Sequence, residues 1–96
     1  TWHGSVAAAA ALAEVPEPAS EREASRGIAA AMKVVAGKLG NTPAVCRDSY
    51  VHPAVLDAFR SGLLQHGWKV HRARWKRLRG DPAERLLLWL LAGRQD

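Results

Sequence analysis

Ala24, Ile28, Met32, Val35 and Leu39 recur at spacings of four, four, three and four. That repeat builds a helix with one apolar face and fits no strand. Ser20 followed by Glu23 has the form of a capping box, in which each side chain satisfies a backbone N–H at the helix start. Gly40 offers a C-cap with positive φ, so a helix of about five turns is expected to end just before Asn41.

The same punctuation recurs along the chain. Thr42-Pro43 reads as a cap with proline in the first turn, opening a short helix to Asp48 or Ser49. His52-Pro53 restarts the chain into Ala54–Arg60, where Val55, Leu56 and Phe59 share a face, and Gly62 and Gly67 mark its decay. Asp81-Pro82-Ala83-Glu84 starts a final helix running to about Ala92. Before all of these, the alanine-rich stretch Ser5–Glu14 reads as a helix broken by Val15-Pro16-Glu17-Pro18. No alternating strand pattern is present, so the expected fold class is all-α with about five helices. Trp2, the Ala24–Leu39 stripe and Trp89 are expected in the core.

A chain of 96 residues makes one small domain, and its single cysteine, Cys46, leaves no intrachain disulfide to stabilise it. Cys46 reads as a small buried hydrophobe, and a lone thiol points to a reduced cytoplasmic setting. The apolar run Leu86–Leu91 is far shorter than a bilayer-spanning helix, so no membrane partner is expected. His3, His52, His66 and His71 are scattered without ligand spacing, and neither a nucleophile elbow nor a glycine-rich phosphate loop occurs. No metal and no cofactor are therefore expected.

Charge divides the chain. Residues 1–66 carry six basic and six acidic residues, whereas residues 67–96 carry eight and three, so the whole net charge of +5 sits in the last third. Lys69–Arg79 holds most of it, interleaved with tryptophan. Such a run fits double-stranded DNA through Arg72, Arg74, Lys76 and Arg77, or simply a solvated basic face. Trp68 and Trp75 lie in or beside this run, where they either pack on a sugar-phosphate surface or cover the last helix, the second being the preferred reading. The chain thus divides into residues 1–66 as a helical core and residues 67–96 as a basic segment with the final helix.

The block Leu39-Gly40-Asn41-Thr42-Pro43, followed by Ser49-Tyr50-Val51-His52-Pro53, resembles the tyrosine block of type IB DNA topoisomerases. There the nucleophilic tyrosine follows nine residues after an Asn or His, the spacing of Asn41 and Tyr50. The Thr1-Trp2-His3-Gly4-Ser5 opening is similar to the bacterial branch as well, and the resemblance covers roughly Thr1 to Phe59. It implies the C-terminal subdomain of the catalytic core that these enzymes share with tyrosine recombinases, in a bacterial nucleoid.

By that resemblance Tyr50 attacks a DNA phosphodiester, forms a 3′-phosphotyrosyl link and frees a 5′ hydroxyl. One ester replaces another, so supercoils relax and the strand reseals without ATP. Asn41 donates to a non-bridging phosphate oxygen, where transition-state charge gathers. A phenol, with an ordinary pKa of about 10, needs such help. The family completes its site with two arginines and a lysine, one arginine immediately before the Thr-Trp stretch. Residues 1–96 do not supply these, and Arg47 does not match their positions. The chain is therefore expected to be inactive alone and to partner the upstream part of its own catalytic domain. A tyrosine recombinase fragment and a non-catalytic helical DNA-binding module are the alternatives.

Overall fold

The computed structural model describes residues 1–93. Six α-helices follow in order: α1 (Trp2–Leu12), α2 (Glu21–Leu39), α3 (Pro43–Val45), α4 (Pro53–Ser61), α5 (Leu63–Lys76) and α6 (Pro82–Leu91). A π-helical turn, Cys46–Tyr50, continues directly from α3. No strand forms among the described residues.

The caps work as their residue types dictate. Ser20 Oγ accepts from the Glu23 N–H at 3.1 Å, Thr42 Oγ1 from the Val45 N–H at 3.2 Å, and an Asp81 carboxylate oxygen from the Ala83 N–H at 2.9 Å. His52 caps α4 through its ring, Nδ1 accepting from the Ala54 N–H at 3.0 Å. Gly40 ends α2 with positive φ, a left-handed geometry that suits glycine.

The chain has one core. Leu12 of α1, Ile28, Met32 and Val35 of α2, Val55 and Phe59 of α4, Leu64 of α5, and Leu86 and Leu87 of α6 are all buried in it. α1 lies centrally, packing on α2 and α6 and also touching α4, α5 and the π-helical turn. The radius of gyration, 12.5 Å, is that of a well-packed chain of this length.

Three sequence expectations change. α1 starts at Trp2 and ends at Leu12, so the helix expected over Ser5–Glu14 begins earlier. Trp2 is not core: it is 38% exposed and its indole donates to a Glu84 carboxylate oxygen at 3.2 Å. Six α-helices form among the described residues instead of about five, because residues 63–76 are helical throughout. Gly67 sits inside α5 without ending it. A methyl group there would run into the ring of Trp89, so the missing side chain is what lets α5 and α6 approach. Trp75 is buried and Trp68 and Trp89 pack against the core, consistent with tryptophans covering the last helix.

Candidate active site and basic helix

Tyr50 closes the π-helical turn between two buried anchors. Cys46 at the start of the turn is fully buried, and Val51 just after it lies in extended backbone with its side chain in the core. Tyr50 itself is 36% exposed. A π-helical turn inserts an extra residue relative to α-geometry and is uncommon, often marking a functional position. Nothing in the residue types of Cys46–Tyr50 announces it, and α-geometry is the natural expectation.

The N-terminal stretch holds this segment from behind. The backbone of Gly4 lies against the Tyr50 carbonyl, and a side-chain carbon at Gly4 would overlap both that oxygen and the Tyr50 Cβ. Next to it, Ser5 is buried and its Oγ accepts from the His52 N–H at 2.8 Å. Two stretches far apart in sequence, Thr1–Ser5 and Ser49–Pro53, are thus joined in space. Sequence inspection singles out both stretches without showing that they touch.

Asn41 lies at the other end of the same segment, at the exit of α2. It is exposed, and its side-chain oxygen accepts from the Thr42 N–H at 3.2 Å, which leaves the amide hydrogens pointing away from that bond. Only the two short helical turns of α3 and Cys46–Tyr50 separate Asn41 from Tyr50 along the chain. Both side chains are surface-accessible, and no hydrogen bond joins them among the described residues.

The four basic residues singled out by charge do not act as one group. Arg72, Arg74, Lys76 and Arg77 are all exposed. On α5, Lys69, Arg72 and Lys76 follow at three and four residues and share a stripe, while Arg74 falls on the opposite flank. There Arg74 lines a cleft against α6 together with Arg85, Trp75 and Trp89. Arg77 follows the last residue of α5. None of α5 packs against the π-helical turn, so the basic residues are not brought onto Tyr50.

Among the described residues no three of His, Cys, Asp and Glu gather as a metal site, and no helix is long and apolar enough to cross a membrane. Comparison with protein-family models, curated proteins and solved structures finds no match for this chain.

Proposed function

We propose that this chain carries the nucleophile of a DNA strand-cleaving and rejoining enzyme of the type IB topoisomerase kind, and that Tyr50 is that nucleophile. The observation that supports it most is the junction of Gly4 and Ser5 with Tyr50 and His52. Two stretches that separately resemble the family meet at one place, and they meet at the tyrosine.

The chemistry is the one that the resemblance implies. The Tyr50 oxygen attacks phosphorus and gives its proton to water, while the bond from phosphorus to the 5′ oxygen breaks and that oxygen takes up a proton, giving a tyrosyl diester at the 3′ phosphate and a 5′ hydroxyl. Attack by the 5′ hydroxyl reverses the step, and the free end can turn in between. The exposed phenol is accessible to a DNA strand, while the Cys46 and Val51 anchors fix the backbone that carries it. Fixing a reactant in this way lowers the entropic part of the barrier. Asn41 offers a neutral donor to a non-bridging oxygen. Asn41→Ala is expected to slow cleavage by about 10²- to 10³-fold, as removal of one oxyanion donor does elsewhere.

Family members clamp the phosphate with two arginines and protonate the leaving oxygen with a lysine; no residue among 1–93 matches those positions. The test supplies them in trans. The chain is mixed with the arginine- and lysine-bearing catalytic segment of a bacterial type IB topoisomerase and a nicked suicide duplex. A covalent protein–DNA band that disappears in Tyr50→Phe is the expected result. No band, with the two proteins shown to associate, would move the reading to a helical DNA-binding module without chemistry.

A further inference from the structure

We infer that the Lys69–Arg72–Lys76 stripe of α5 is a track for the phosphate backbone of duplex DNA that runs toward the tyrosine end of the molecule. The direction of the track rests on Tyr50 being the nucleophile; its affinity for DNA does not.

Four observations support it. First, α5 contains no acidic residue, and among the described residues none of Lys69, Arg72 and Lys76 is in an ion pair. Unpaired cations held on a rigid element keep their full attraction for a polyanion. Second, their spacing suits a strand. Lys69 and Lys76 stand seven residues apart on α5, two turns of helix. Two turns rise about 10.5 Å, the axial rise of about three phosphate steps of one strand, so the three cations lie within the span of about four phosphates.

Third, the stripe is braced. The Lys76 ammonium lies 5.5 Å from the centre of the Trp68 ring, and the Trp68 indole donates to a Glu14 carboxylate oxygen at 3.3 Å. A cation held that close over an indole is steadied without losing its charge.

Fourth, the stripe has a direction. Trp68 bonds Glu14, just past the C-terminal end of α1, while Glu84, beyond the C-terminal end of α5, bonds Trp2 at the N-terminal end of α1. α5 therefore runs antiparallel to α1, and its C-terminal end lies toward Gly4 and Tyr50. Acids lie near both ends of α5: Glu14 at Trp68 and Glu17 against Gly62 toward its start, and Glu84 beyond its C-terminal end.

The test measures non-covalent binding of a short labelled duplex by the full chain carrying Tyr50→Phe, across a salt series. In that background the result cannot depend on cleavage. Two variants carry the same charge change: Lys69→Gln, Arg72→Gln and Lys76→Gln on α5, and Arg22→Gln, Arg26→Gln and Lys33→Gln on α2. All six positions are exposed, and far-UV circular dichroism checks the helices. At about 0.9 per phosphate contact, the α5 variant is expected to flatten the log–log salt slope by about 2.7. The α2 variant is expected to change it by less than about 1. An unchanged slope in the α5 variant, or equal flattening in both, would overturn the track. A strong α5 effect combined with no covalent adduct in the complementation experiment would leave the track standing and remove its connection to Tyr50.

Discussion

At Gly4 the missing side chain is what allows the first turn of α1 to sit on the Tyr50 carbonyl. A buried serine one residue later takes up the His52 N–H, so a backbone donor in the tyrosine segment finds a partner instead of being orphaned. This pairing gives the two neighbouring residues different jobs, steric at Gly4 and polar at Ser5. Gly4→Ala should force α1 and the π-helical turn apart and destabilise the fold by about 1–3 kcal/mol, the usual cost of overpacking. Gly37→Ala should do the opposite. Gly37 lies within α2 with open space around it. Alanine there gains helix propensity of up to about 1 kcal/mol without meeting anything. Urea midpoints of the two variants should move in opposite directions from the parent, and a Gly4→Ala midpoint at or above the parent's would contradict the close approach.

Among the elements, α5 and α6 show most clearly how packing overrides local signals. Gly67 costs α5 helix propensity but admits the edge of the Trp89 ring, and the two helices gain their approach in return. Gly67→Ala should destabilise the protein by about 1–3 kcal/mol through overlap with that ring. Trp89→Phe removes the outer ring atoms that the methyl group would meet, so the double variant should lose less than the two single changes predict together. A double-mutant cycle with a coupling of about 1 kcal/mol would fit this account, and strict additivity would contradict it.

The same pair of helices explains what could be read from the sequence and what could not. The caps at Ser20, Thr42 and Asp81 were legible because each rests on a local bond between a side chain and a nearby backbone N–H, whereas His52-Pro53 marked a helix start without announcing that the His52 ring caps it. The α2 stripe was legible because its period is helical and its face is buried. α5 was not, although Leu64, Trp68, His71 and Trp75 recur at four, three and four; two glycines and the dense charge obscured that period. Trp2 went the other way, an aromatic residue expected in the core that instead lies on the surface beside Glu84. The candidate site was half legible. Asn41 and Tyr50 stood out by their motif, but the π-helical turn and the Gly4 and Ser5 contacts depend on chain segments meeting in three dimensions.

For the whole molecule, the arrangement separates two tasks. A central α1 has the segment of the candidate nucleophile against its first turn, and a basic helix packs mainly on α4 and α6 with no contact to the π-helical turn. One core joins them, so the tyrosine segment and the basic helix are held in a fixed relation. The central claim is that Tyr50 forms the bond to DNA. The measurement that tests it most directly is peptide mapping of the covalent adduct formed in the trans-complemented reaction. The account predicts an oligonucleotide attached through its 3′ phosphate to the peptide containing Tyr50, and no adduct from Tyr50→Phe. An adduct mapped to any other residue of this chain, or one that persists in Tyr50→Phe, would contradict it.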